Sequence, residues 1–237
     1  MRGMILAAGF GSRLRPLTDR IPKPLVEVAG RPMIAYAIDM LRAAGITDIM
    51  INLHHLSDQI AAALGTGATY GVRLAYSRED PILDTGGAIQ KAEPFLRGGT
   101  FVVVNADIVT DLDVRTVVAW HCARGALATM VLRDDPCAAA FGLIDIDPAS
   151  RVRRILGRPA DAPGVLTPLM FASVHVFEPT VFAYMRPGRF GIIKTTYPAL
   201  LAAGCPVYGY RFDGYWQVLD THAGLAEGRW ELAQRRW

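Results

Sequence analysis

Two basic side chains near the N-terminus stand in surroundings suited to holding phosphate. The segment Leu6-Ala7-Ala8-Gly9-Phe10-Gly11-Ser12-Arg13 leaves an apolar run and enters a glycine-containing turn. Backbone N–H groups around such a turn converge on a concavity that can wrap a triphosphate, and Arg13 brings a planar fork of donors to phosphate oxygens. A purely structural turn fits the same two glycines, so this segment alone leaves both readings open. Residue 14 is Leu, which breaks the dinucleotide-binding GxGxxG pattern, and no Gly-Lys-Ser/Thr follows to make a Walker A loop. Lys23 lies between Pro22 and Pro24, whose rings fix the backbone on both sides and bar helix there. A lysine on a stiffened loop loses little entropy when aimed at an anion. Only three of the 25 basic residues are lysines, so a lysine here points to a compact point charge.

The other chemistry-bearing residues have simpler readings. Asp111 and Asp113 are expected to cap a helix beginning at Val114. Asp145 and Asp147 share a strand face beside Pro148 and are expected to face solvent. His54 and His55, adjacent at a strand end, point to opposite faces, which favours packing or exposure over a shared metal. Arg151, Arg153, Arg154 and Arg158 form a run that fits a phosphate patch or a solvated face. Tyr215 and Trp216 could stack on a sugar or base, but core packing is the expectation. Cys122, Cys137 and Cys205 are odd in number, far apart and form no CxxC, so neither a disulfide framework nor a zinc site is expected.

The elements that must carry these residues follow from periodicity. Residues 4–8 read as a buried strand, 9–24 as a Gly/Pro-rich loop, and a helix opens at Pro32 and stops at Gly45. Strands at 48–53, 72–76, 101–104 and 128–132 alternate with helices at 57–64, 86–95 and 114–124. This rhythm predicts an α/β, Rossmann-like fold with a mostly parallel sheet covered by helices on both faces. Beyond Asp134 the rhythm changes. A hairpin at 142–146 and 151–156, a strand at 169–177, a helix at 196–203, an extended run at 206–212 and a terminal helix at 221–236 make a second lobe. The boundary is soft and is placed near residue 135. Ligands of open α/β sheets bind beyond the carboxyl ends of the strands, where Gly9, Asn105 and Asp107 fall.

Composition limits the classes of function. The chain's 237 residues, 51% hydrophobic and 20% charged, exclude disorder and suffice for one enzyme-sized body. The formal charge is only +3, so no global field argues for nucleic acid or a membrane as partner. The apolar stretch near Met1 is too short for a signal peptide, and no run approaches the ~18 residues of a membrane span. A cytoplasmic protein is expected. Trp230 and Trp237 on the last helix are read as a self-association face of a homodimer.

LAAGFGSRLRPLT at 6–18, followed by PKPL, VAGRPMI, INLHHLSDQI, LDTGGAIQKA and VVNADIVTDLD, resembles the sugar-1-phosphate nucleotidyltransferases (NDP-sugar pyrophosphorylases) from residue 2 to about 145. The front half is most similar to N-acetylmuramate-1-phosphate uridylyltransferases; YPALLAAG and GYRFDGYW resemble mannose- and heptose-1-phosphate guanylyltransferases instead. The resemblance implies a nucleotide-binding core at 1–135 and a smaller sugar-phosphate lobe at 136–237. It implies an NTP (UTP or GTP) and a sugar 1-phosphate as substrates, with Mg²⁺ as cofactor. Leu6, Ala7, Ala8, Gly9, Gly11 and Ser12 would line the nucleotide, with Arg13 and Lys23 as the catalytic cations. Gly86 and Gly87 would let backbone approach the base. Asn105 and Gly142 would meet the sugar, and Asp107 would hold Mg²⁺.

Three positions depart from the family pattern. Ala106 stands where a glycine precedes the metal-binding Asp, and Gly157-Arg158-Pro159 replaces a Glu-Lys-Pro element, leaving Arg158 to grip the sugar phosphate. Most seriously, Val218 occupies the second metal carboxylate's position. Asp220, two residues on and on the same face of an extended segment, could replace that carboxylate or could instead cap the last helix. These departures keep two other classes in view: a catalytically weak NDP-sugar-binding or regulatory homologue, and a cytidylyltransferase for a non-sugar phosphate.

Overall fold

The computed structural model describes residues 1–136 and 138–234; Cys137 and Trp237 lie outside them. The chain is α/β and divides into two compact units, each assembled from separated stretches of sequence. One contains residues 2–82, 104–112 and 214 onward; the other contains Met1, 83–103 and 113–213. Among the described residues no helix is long and apolar enough to cross a membrane.

The first unit is built on three parallel strands, Arg2–Leu6 beside Asp48–Leu53 beside Arg73–Arg78. Met4, Ile5, Ile49, Ile51 and Leu53 are fully buried, which is why the first two strands read as nearly continuous apolar runs. The first strand ends at Leu6 rather than residue 8. At Ala7 the backbone N–H leaves the ladder and donates to the Asn52 side-chain oxygen at 2.7 Å. The helix Met33–Ala43 follows Pro32, buries Ile34, Ile38 and Leu41, and stops where Gly45 takes φ 77°, a left-handed turn that glycine adopts without a Cβ penalty.

Two antiparallel pairs are too short to show a period: Glu27–Val28 with Arg31–Pro32, and Ile108–Thr110 with Trp216–Val218. The second brings segments of distant sequence into register and bears directly on the site. The terminal helix runs His222–Gln234. Its cap is Thr221, whose Oγ1 accepts from the Gly224 N–H at 3.0 Å; Asp220 is therefore not the cap, and its carboxylate points elsewhere.

In the second unit Thr167–Phe177 pairs antiparallel with both Leu143–Ile146 and Ala128–Arg133, Val152–Ile155 closes the hairpin, and Val207–Arg211 runs parallel to Ala128–Arg133. The expected helix at 86–95 is two pieces, Asp84–Lys91 and Glu93–Leu96, divided ahead of Pro94, and the helix expected from 196 starts earlier, at Ile192. Asp113 caps Val114–Ala123 by accepting from the Arg115 N–H at 3.0 Å; Asp111 does not share that task, and its own N–H donates to the Tyr215 carbonyl. The expectation that Asp145 and Asp147 face solvent fails. Asp145 is buried and paired with Arg154, while Asp147 accepts from the N–H groups of Ala149 and Arg151 and pairs with Arg153 at 2.7 Å. Arg151 donates to the carbonyls of Gly204 and Cys205, so three members of the basic run serve internal acceptors. Cys122 and Cys205 are free thiols.

Candidate active site

Four charged residues, scattered through the first unit's sequence, are held by one apolar cluster. Leu14, Val26, Val28, Met33, Tyr36, Val109, Leu219, Leu225 and Leu232 pack together and are buried. Arg13 precedes Leu14, Lys23 lies three residues before Val26, Asp107 two before Val109, and Asp220 directly follows Leu219. Each polar group thus projects from an anchored backbone, an arrangement that fixes its aim at small entropic cost.

Arg13 closes a turn that begins at Gly11, where φ is 64°. Any Cβ on Gly11 would lie 2.8 Å from Thr18 Cγ2 and 3.0 Å from Lys23 Cβ, so glycine is required both by conformation and by space. Gly9 is different: nothing lies within 4 Å of where its Cβ would be. Lys23 stands at the start of a single 3-10 turn, Lys23–Leu25, stapled by the Leu25 N–H to the Pro22 carbonyl at 2.8 Å. The flanking prolines were expected to bar helix; they bar α-helix but admit this tighter turn.

The charges meet in two pairs. Lys23 Nζ lies 2.5 Å from Asp107 Oδ2, with both side chains largely buried. Arg13 lies 2.6 Å from Asp220 Oδ2; the carboxylate is 7% exposed and the guanidinium 64%. Main chain brings the two carboxylates' segments together, since the Leu219 N–H donates to the Asp107 carbonyl at 2.8 Å. The Ala106 N–H donates to the Leu6 carbonyl at 3.0 Å, which ties the Asp107 turn to the end of the first strand. Asn105 is the last residue of Phe101–Asn105, immediately before that turn. Val218 lies half-buried in the short strand opposite Ile108. Asp220, not Val218, is the carboxylate beside the glycine turn.

A divalent cation fits these donors. Asp107 Oδ1 is buried with no hydrogen-bond partner among the described residues, an orphaned hard oxygen of the kind that Mg²⁺ takes from a protein alongside substrate phosphates. Among the described residues no cluster of three or more His, Cys, Asp and Glu is arranged to hold a metal, so His54 and His55 make no site of their own. Both instead bond main chain: His54 Nδ1 to the Glu79 carbonyl at 2.8 Å and His55 Nε2 to the Thr18 carbonyl at 3.0 Å.

The remaining sequence candidates belong to the second unit. The N–H groups of Gly86 and Gly87 donate to the Phe190 carbonyl at 2.9 and 3.2 Å, and a Cβ would lie 2.2 Å from the Phe190 ring at Gly86 or from the Gly188 carbonyl at Gly87. Both glycines are therefore explained by close packing of the 188–190 segment. Gly142, at φ 93°, has Leu156 against its would-be Cβ at 2.3 Å. Arg158 is exposed and, alone in the basic run, has no side-chain partner among the described residues. Sequence reasoning missed Asn52, Glu79 and Thr18, all buried; a polar residue within an apolar strand, as in Ile51-Asn52-Leu53, was the available signal.

The chain belongs to the nucleotidyl transferase family, whose pattern it matches across residues 2–235. Among curated relatives it is 36% identical over 97% of both chains to an N-acetylmuramate alpha-1-phosphate uridylyltransferase of Neisseria meningitidis. It is 33% identical, over 96% of this chain and 63% of the relative, to a mannose-1-phosphate guanyltransferase of Candida albicans. The chain spans about three fifths of the length of several of the relatives it matches. Among solved structures, a putative glucose-1-phosphate thymidylyltransferase from Bacillus anthracis superposes with a TM-score of 0.86 at 25% identity, covering 100% of this chain and 97% of that one.

Proposed function

We propose that the protein transfers a nucleoside monophosphate from an NTP to a sugar 1-phosphate, releasing pyrophosphate and forming an NDP-sugar. The observation that carries this reading is the double pairing Lys23–Asp107 and Arg13–Asp220 beside a glycine turn. Two polyanions must be brought together, so the site needs cations, aimed N–H groups and a metal rather than a nucleophilic side chain. The relatives support the sugar-phosphate acceptor by name and divide between uridylyl and guanylyl transfer.

In this reading a sugar-phosphate oxygen attacks the α-phosphorus in line, and the bond from that phosphorus to the pyrophosphate oxygen breaks. The attacking oxygen is already ionised at neutral pH, so no general base is required. Lys23 neutralises charge at the α-phosphate and the incoming phosphate. Arg13, mostly exposed and paired with Asp220, meets the β- and γ-phosphates as pyrophosphate departs. Asp107 and Asp220 would hold Mg²⁺, which supplies further charge neutralisation on the phosphates.

The test is incubation with Mg²⁺, each of five NTPs and a panel of sugar 1-phosphates and non-sugar phosphates, with pyrophosphate release as the readout. Release with UTP or GTP and one sugar 1-phosphate is expected. Silence from every pair would favour a binding or regulatory homologue; activity with CTP and a non-sugar phosphate would favour the cytidylyltransferase reading.

A further inference from the structure

The glycine turn is gripped at both ends by one short segment, Asn52-Leu53-His54-His55, where the second strand leaves the sheet. At the front end the Ala7 N–H donates to Asn52 Oδ1 at 2.7 Å, and Asn52 Nδ2 donates to buried Glu79 Oε1 at 2.8 Å. This orientation of the amide is the one that satisfies both partners. At the back end the Thr18 carbonyl accepts from His55 Nε2, which must carry the proton because a carbonyl only accepts. Thr18 is fully buried, and its hydroxyl donates to the Gly11 carbonyl at 2.8 Å. The same carbonyl accepts the Leu14 N–H at 2.8 Å, so Thr18 and the Arg13 turn share one acceptor.

Between the two ends the aromatic rings close the circuit. Exposed Phe10 stands edge-on to His54 with centroids 5.2 Å apart and lies 5.7 Å from His55. The His54 ring is held in turn by the carbonyl of Glu79, the residue whose side chain bonds Asn52. One network therefore runs Ala7–Asn52–Glu79–His54–Phe10–His55–Thr18–Gly11. Because Gly11 packs directly on Thr18 and Lys23, a displaced Thr18 would move both the glycine turn and the catalytic lysine.

We infer that His55 and Asn52 are positioning residues that hold the phosphate-binding turn in its receptive shape before nucleotide arrives. The inference rests on the proposed nucleotide role of the turn, but its first test does not. In nucleotide-free protein, His55→Leu keeps an apolar side chain of similar bulk and removes the donor to Thr18. Amide hydrogen exchange at residues 9–14 is expected to speed up about three- to ten-fold, the range of one hydrogen bond. Exchange in the strand Arg73–Arg78 stays as in the parent. In turnover, the nucleotide KM is expected to rise by a similar factor while the sugar 1-phosphate KM holds. His55→Gln, which keeps a side-chain N–H, recovers both readouts. Should His55→Leu fail to fold, Thr18→Val removes the next bond along, from the Thr18 hydroxyl to the Gly11 carbonyl, and is expected to speed exchange at residues 9–14 in the same way. Unchanged exchange at residues 9–14 overturns the staple even in an active enzyme. A transferase-inactive protein with accelerated exchange would overturn the functional reading and leave the staple standing.

Discussion

Lys23 and Asp107, 84 residues apart in sequence, form an ion pair with Nζ 2.5 Å from Oδ2, while Oδ1 of the same carboxylate is buried without a partner among the described residues. With Arg13 on Asp220, the cations that would grip phosphate are held by the carboxylates that would hold a metal. The resting site is thus neutralised internally, and under the proposed function an anionic nucleotide arriving with its cation would exchange partners rather than expose bare charge.

This pairing has opposite consequences for turnover and for metal binding. Lys23→Met is expected to reduce pyrophosphate release by about a hundred- to a thousand-fold, the scale of one lost transition-state donor. The same variant should bind Mn²⁺ more tightly than the parent when nucleotide is absent, because a competing cation has left Asp107. Electron paramagnetic resonance of free Mn²⁺ reads the second effect without any turnover. Equal or weaker Mn²⁺ binding would show that the pair does not mask the carboxylate.

Asp220 and Thr221 should separate cleanly. Thr221→Val removes the cap of the last helix and is expected to cost about 1 kcal/mol in urea denaturation, with turnover near that of the parent. Asp220→Ala leaves the cap and removes Arg13's partner, so its Mg²⁺-dependent turnover should fall steeply at nearly parental stability. Turnover unchanged in Asp220→Ala would end its role as the second metal carboxylate.

The two glycines of the turn should respond differently to alanine. Gly9→Ala meets open space and is expected to alter stability by less than about 0.5 kcal/mol. Any rise in nucleotide KM there reports a phosphate approaching the backbone. Gly11→Ala must accept a positive φ and contacts with Thr18 and Lys23, so a loss of about 1 kcal/mol or more in stability should accompany its loss of activity.

Acid stability should depend on His175. Full burial among Phe171, Phe177 and Tyr197 lowers its pKa from 6.5 to about 3. A depressed folded-state value means the unfolded chain binds the proton first, so the neutral ring's contribution is complete above pH 6.5 and is lost as pH falls toward about 3. The slope reaches at most about 1.4 kcal/mol per pH unit for one proton. Denaturation of His175→Phe between pH 6.5 and 4 should show a flatter decline than the parent, at a fixed cost from the Tyr197 hydroxyl left without His175 Nδ1. Parallel declines would remove His175 as the source.

Chain-local physics determined a good deal of this protein. Strands and helices showed through apolar period, as at Asp48–Leu53 and Ser57–Leu64, because burial imposes that period on the residues themselves. The glycine turn and the proline-flanked lysine were visible because backbone restriction is written in residue type. Tertiary structure decided what those residues touch. Asp220's partner is Arg13, 207 residues away, and a three-residue strand with no period of its own sets that meeting by pairing with Ile108–Thr110. Asp145 looked exposed beside a turn and is buried because Arg154 lies across the hairpin. His55 read as packed or exposed, and its ring bonds the Thr18 carbonyl. Hydrogen bonds and ion pairs depend on distances of a few ångströms between remote segments, and packing supplies them, as the cluster around Leu14 and Leu219 does for the four charged residues of the site.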